Sequence, residues 1–287
     1  DNSLFINDGG DLEQWNDEAC DEFLAFCREL TGTAEGEKMV INTWFLSHAH
    51  SDHFRGFPRF MSMYHDQFDL KNIMYNIDIE RTNTSRDIHQ VMQMVSSYYT
   101  DVRYYKPHTG ETIIIDGVTI DVLYTVEDRY LPDAQGNLIT DYPFDKNGNK
   151  VQSSDYGGTY RDYFYEKDDE GAYITDASGN RMSDFNDTTT VLKVDLGNTD
   201  AILYGDMNHG EQFLLDVYPD STLKTDIMLI PHHGFDVHPR LCELSQADIF
   251  LFTQHKSAIY GADGDLSTRD GAGKYRKVLY DNYLAMQ

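Results

Sequence analysis

Within Ser47-His48-Ala49-His50-Ser51-Asp52-His53, three histidines and one aspartate fall inside six residues. The chain of 287 residues holds 11 histidines in all, so the local density is far above background. Imidazole nitrogen and carboxylate oxygen together suit Zn²⁺ and related borderline metals. The apolar run Trp44-Phe45-Leu46 leads into the cluster, and Phe54-Arg55-Gly56 follows it. That run reads as a buried strand, which places the cluster where a strand gives way to a loop. A tight turn there points His48 and His50 at one metal ion and Asp52 and His53 at a second. The competing reading is a polar surface loop that happens to be rich in histidine.

Further positions downstream weigh against that competing reading. In Ala201-Ile202-Leu203-Tyr204-Gly205-Asp206 a short apolar strand ends in a carboxylate. A carboxylate has two oxygens and can bridge two cations, as a single imidazole cannot. Gly-Asp alone is a weak signal, because it is also an ordinary turn. In Asp226-Ile227-Met228-Leu229-Ile230-Pro231-His232-His233-Gly234 another apolar strand ends in paired histidines. Each feature is ambiguous alone. In this order, each at a strand end, they make one consistent ligand set.

The set resembles the metallo-β-lactamase superfamily, whose H-x-H-x-D-H signature is met by His48, His50, Asp52 and His53. Phe5-Ile6-Asn7-Asp8-Gly9-Gly10 is similar to that family's first motif, and the resemblance gives Asp8 the role of supporting the metal loop from behind the ligands. Gly205-Asp206 matches the bridging-aspartate motif. Pro231-His232-His233-Gly234 resembles the form found in DNA-uptake competence proteins and cell-wall phosphorylcholine esterases. Asn186-Asp187-Thr188-Thr189-Thr190-Val191-Leu192 is similar to the same branch, in which an Asn-rich and hydroxyl-rich strand start replaces a metal-binding histidine.

The resemblance implies an α/β fold, a four-layer αββα sandwich with a metal site at one edge. It implies a pair of Zn²⁺ ions, with Mn²⁺ or Fe²⁺ as alternatives, held by His48, His50, Asp52, His53, Asp206 and one histidine of the His232–His233 pair. Asp52 and Asp206 are the carboxylates expected to take part in catalysis. The implied activity is hydrolysis of a phosphoester or phosphodiester; the alternatives are a lactone or thioester hydrolase of the same fold, or a metal-free binding module. The intact ligand set speaks against the last. Two departures matter. No histidine lies at 186–190, which argues against β-lactam hydrolysis. The branch's Tyr-Gly-His-Pro segment reads Tyr260-Gly261-Ala262 here. His255, after the run Ile249-Phe250-Leu251-Phe252, either takes that ligand role or is an ordinary loop histidine.

The elements that must position these residues can be read from periodicity. Leu12, Trp15, Ala19, Phe23, Phe26 and Leu30 recur at helical spacing, so residues 11–30 read as one amphipathic helix with Asp11 and Gln14 at its start. Met39–Leu46 reads as the strand that delivers the metal loop. A helix is expected over about 85–99, and strands over 112–115 and 118–124 flank the hairpin signal Asp116-Gly117. Residues at about 127–185 are rich in Asp, Gly, Asn and Tyr, with repeated turn signals such as Asp145-Lys146-Asn147-Gly148. They read as a hairpin insertion in a single hydrolase domain, either a tyrosine-rich wall for the substrate or a surface decoration. A further helix is expected near 209–217, with His209 at its solvated start. His65, His89 and His108 lack partners in sequence and read as structural or exposed.

The chain carries 23 Lys+Arg against 49 Asp+Glu, a formal charge of −26. Such a field repels polyanions, so a small-molecule substrate is expected rather than nucleic acid, although Arg55 and Arg59 lie just after the metal motif. Apolar residues make up 40% of the chain, ordinary for a globular protein, and no run approaches a membrane span. The three cysteines, Cys20, Cys27 and Cys242, give no disulfide framework, and the first two share an apolar helical face. Only seven residues precede Asp8, so an N-terminal hairpin of the fold is expected to be missing from this chain. A soluble protein is expected, cytoplasmic or exported after processing.

Overall fold

The structure, a computed structural model, describes residues 2–77, 85–125, 172, 175, 179, 186–207, 210–234 and 237–253. The expected insertion at about 127–185, apart from three single positions, lies outside the described residues, as do His209 and His255. The chain divides into two compact units, the first comprising 1–107 with 115–117 and the second 108–114 with 118–287. Each has its own sheet and helices, the α/β content the sequence leads one to expect. No helix among the described residues is long and apolar enough to cross a membrane.

In the first unit, β1 (Ser3–Asn7), β2 (Met39–Leu46), β3 (Phe68–Tyr75) and β4 (Arg103–Tyr105) form a sheet in that order, all parallel. β2 is an interior strand, which explains why Trp44-Phe45-Leu46 is continuously apolar rather than alternating. All three side chains are fully buried. Asn7 pairs with Phe45 and Tyr75 with Leu46, so β1, β2 and β3 end at one level. The carboxyl ends of parallel strands are where such sheets present binding loops. Here they present Asp8 and Ser47.

The helices of this unit are α1 (Asp17–Thr31), α2 (Ser51–Phe54), α3 (Gly56–Tyr64) and α4 (Ser85–Tyr98). The single helix expected over 11–30 is in fact two pieces. Leu12–Gln14 is a short 3₁₀ turn capped by Asp11, and α1 starts afresh behind Asn16, whose side chain accepts from the Ala19 N–H at 2.9 Å. Cys20, Cys27 and Thr31 form the buried face, while Leu12, Phe26 and Leu30, expected inside, are 49–59% exposed. The core facing α1 and α3 is aromatic: Trp15, Phe23, Phe57, Phe60 and Phe68 meet with ring centroids 5.0–6.4 Å apart.

In the second unit, β5 (Thr112–Ile115), β6 (Val118–Tyr124), β7 (Val191–Asp195), β8 (Asp200–Leu203), β9 (Ile227–Leu229) and β10 (Ile249–Leu251) lie in the order β10-β9-β8-β7-β6-β5. The β6–β7 and β7–β8 pairs are antiparallel, and β8–β9 and β9–β10 are parallel. Asp116 and Gly117 both take positive φ, 50° and 86°, as a two-residue hairpin turn requires. Helices α5 (Glu211–Val217), α6 (Asp220–Leu223) and α7 (Pro239–Ser245) accompany this sheet. Tyr204, Leu214, Leu223, Met228 and Leu241 anchor its core, each fully buried.

Candidate metal centre

The first set of candidate ligands is built around one buried carboxylate. Asp8 follows β1 with φ 58° and is itself pinned: its N–H donates to the Phe45 carbonyl at 2.7 Å, and its own carbonyl accepts from the Trp44 indole N–H at 2.9 Å. The side chain is thereby aimed at the start of the metal loop. Oδ1 accepts from the Ser47 N–H at 2.7 Å, and Oδ2 from the Ser47 hydroxyl at 2.8 Å and from His53 Nδ1 at 2.9 Å.

Proton bookkeeping through this network fixes two rings. An ionised carboxylate only accepts, so the His53 proton sits on Nδ1 and the Ser47 hydroxyl proton points at Asp8. The Ser47 oxygen is then an acceptor for His48 Nδ1, 3.0 Å away. Both rings carry their lone pair on Nε2, the state a metal ligand needs. His48 and His53 are buried, with ring centroids 4.2 Å apart, and the His50 ring is 4.8 Å from that of His48. Asp52 opens α2 beside His53, its Oδ2 3.9 Å from His53 Nε2. Arg59, one of the cations that follow the motif, is paired with Asp17 at 2.5 Å.

A close backbone crossing holds the loop in place. A Cβ on Gly9 would lie 2.5 Å from Phe57 Cβ, and one on Gly56 would lie 2.4 Å from the Gly9 carbonyl oxygen and 2.3 Å from the Trp15 ring. The Gly56 N–H donates to the Gly10 carbonyl at 2.8 Å. Only glycine lets the segment after Asp8 lie against the start of α3.

The second set lies in the other unit. Asp206 follows β8 and is 3% exposed. The histidine pair follows β9 in an unusual conformation, with φ 46° at His232 and 54° at His233. Both left-handed residues turn the chain sharply, and the two rings go to different partners. His233 Nε2 lies 3.2 Å from Asp206 Oδ2, and its Nδ1 lies 2.7 Å from the Thr253 hydroxyl. His232 Nε2 instead accepts from the Asn186 side-chain amide at 3.2 Å. The two rings therefore part, His233 toward Asp206 and His232 toward Asn186.

A metal ion fits these donors. Two ligand atoms about 2.1 Å from one tetrahedral Zn²⁺ lie about 3.4 Å apart. The His233–Asp206 separation of 3.2 Å matches that spacing. In the first unit His48, His50, Asp52 and His53 each offer one ligand atom, and in the second unit Asp206 and His233 do the same. Ser47 and Thr253 have no expected role from the sequence, and Asn186 only that of opening the segment that replaces a histidine. Ser47 stood inside the motif, whereas Thr253 carries no signal beyond its place after an apolar strand.

Cys20, Cys27 and Cys242 are free and buried. Burial pushes all three thiols up, Cys27 to about 11, so each remains protonated at neutral pH.

No protein-family model and no curated protein matches the chain by sequence. Among solved structures, the chain is similar to zinc-bound PqqB from Methylobacterium extorquens, with a TM-score of 0.41 and 12% identity over 80% of this chain and 55% of that one. It is also similar to a variant of the CmlA β-hydroxylase, with a TM-score of 0.31 and 10% identity over 72% of this chain and 30% of that one. The chain thus spans just over half the length of the first and under a third of the second.

Proposed function

We propose that this chain is a metal-dependent hydrolase of the metallo-β-lactamase superfamily, with a dinuclear Zn²⁺ centre that cleaves a small phosphoester or phosphodiester. The observation that carries the reading is the Asp8–Ser47 network. A buried aspartate commits its oxygens to fixing the tautomer of two histidines in an H-x-H-x-D-H loop, as a metal site requires and a surface loop does not.

His48 and His50 would hold one ion and Asp52 and His53 the other, with the bridging role that the resemblance gives to Asp206. His233 is the ligand from the later pair, and His232 is held aside by Asn186. Metal bound there would supply Lewis acidity, which makes a hydroxide nucleophile accessible at neutral pH. The protein's own groups orient that chemistry: Asp8 keeps the His48 and His53 rings fixed, and Thr253 steadies His233. Two sequence features support a phosphoester over a β-lactam. Asn186 stands where a metal-binding histidine is found in other members, and Pro231–Gly234 resembles the motif of phosphorylcholine esterases.

Elemental analysis of protein purified without chelator should find about two divalent ions per chain, mostly zinc. A panel of chromogenic phosphomonoester, phosphodiester, lactone, thioester and β-lactam compounds should give turnover of a phosphoester. Absence of bound metal after zinc supplementation would overturn the enzyme reading and favour a binding module. Lactone, thioester or β-lactam turnover without phosphoesterase activity would overturn the substrate class.

A further inference from the structure

The segment that carries the histidine pair is tied at both ends to the segment that follows Asp206. At the near end, the His232 N–H donates to the Gly205 carbonyl at 3.0 Å. At the far end, the His238 N–H donates to Glu211 Oε2 at 2.6 Å. Each tie spans 27 residues, from 205 to 232 and from 211 to 238.

The far tie is a strong one. Glu211 is 2% exposed, and a buried carboxylate is tolerated only where hydrogen bonds compensate its lost hydration. Its own position is fixed. A Cβ on the preceding Gly210 would lie 3.0 Å from Met207 Cε and 3.2 Å from the Tyr124 ring, so the start of α5 is packed hard against the residue next to Asp206. His238 is in turn the N-cap of α7, its Nδ1 accepting from the Arg240 N–H at 3.2 Å. Between the ties lie the left-handed residues His232 and His233, a conformation that persists only where the surroundings hold it.

We propose that Glu211 is a positioning residue of the metal centre: its carboxylate clamps the far end of the histidine segment and so keeps His233 Nε2 directed at Asp206. This rests on the reading of His233 and Asp206 as ligands of one ion. A tie between α5 and α7 with no bearing on the metal is the alternative.

The test uses the full chain with Glu211→Leu, Glu211→Gln and, as a control, Leu223→Ala, a fully buried core position in α6. Backbone amide exchange is followed over 232–238, and zinc removal by excess chelator is timed. Glu211→Leu should raise exchange across that segment and speed zinc removal about tenfold or more. Glu211→Gln keeps an acceptor oxygen in place and should restore most of both. Leu223→Ala should lower the melting temperature with zinc removal unchanged. Parent-like exchange or parent-like zinc removal in Glu211→Leu overturns the proposal, as does equal acceleration in Leu223→Ala. If Glu211→Leu does not fold, Glu211→Asp, one methylene short of His238, takes its place with the same expectations. A parent protein that binds no zinc defeats the metal reading, and with it the role for Glu211 in a metal centre; the exchange arm then still decides whether the clamp on the histidine segment exists.

Discussion

At the residue scale the centre of gravity is Asp8, not a ligand. It accepts from Ser47 twice and from His53 once, and through Ser47 it reaches His48. Asp8→Asn keeps the size but replaces one acceptor oxygen by an N–H₂ group, which then faces a donor. We expect zinc affinity to fall about 10–100-fold, the range seen when a partner behind a ligand is lost. Competition with a chromophoric chelator measures it, and parent-like affinity would remove Asp8 from the site. Candidate residues can be named from the sequence because metal chemistry needs a narrow set of side chains at fixed spacing. Hydrogen-bond direction was not legible. Nothing in Pro231-His232-His233-Gly234 says that both histidines take left-handed φ and that their rings part, one to Asn186 and one to Asp206.

At the element scale, strands were easier to read than helix faces. β2, β5 and β6 have the bounds expected from their apolar runs, because each run is bracketed by turn residues. The 3₁₀ turn at residues 12–14 sets Leu12 apart from α1, and apolar spacing alone does not show such a break. Within α1 itself the buried face is one residue out of step with the expected one: Cys27 and Thr31 are inside, Phe26 and Leu30 exposed. The crossing of Gly9 with Gly56 was also hidden, since a glycine's need for space is set by a neighbour distant in sequence. Gly56→Ala should push α3 away from the Gly9 carbonyl and the Trp15 ring, both within 2.4 Å of the new methyl. A cost of about 1–3 kcal/mol or more is expected, readable in a urea titration. Zinc affinity should fall with it, because the metal loop is joined to α3. A variant as stable as the parent would show that the crossing relaxes freely.

Between β7, β8 and β9 a second polar cluster sets an acid limit. Burial pushes the Asp200 carboxyl up, but the Lys193 ammonium at 3.0 Å, the Asp226 N–H at 2.8 Å and the Thr225 side chain outweigh it and hold Asp200 below its usual 3.8. A carboxyl depressed in the folded state adds stability that is present above the unfolded value and lost as pH falls through the folded one. Asp200→Asn should therefore be less stable than the parent at neutral pH, and the gap should close as pH drops below 3.8. Urea unfolding at a series of pH values measures it. A gap that stays constant into acid would mean that the Asp200 charge contributes nothing.

At the scale of the whole molecule, net charge bears on the proposed substrate class. A net charge of −26 sets up a repulsive field for any polyanion, whereas a small or zwitterionic phosphoester carries little charge for the field to act on. Salt screens that field, shrinking its reach from about 30 Å at 0.01 M to about 8 Å at 0.15 M. For an ordinary nucleic-acid enzyme, added salt weakens binding, because basic residues make the contacts. Here the sign should invert. Cleavage of an oligonucleotide, if it occurs, should rise with sodium chloride over that range, while turnover of a small phosphodiester stays nearly flat. Initial rates at fixed low substrate, with zinc held constant, make the comparison. An oligonucleotide rate that falls with salt would reveal a local basic surface strong enough to override the global charge. Arg55, exposed just after the histidine motif, would then be the first position to replace.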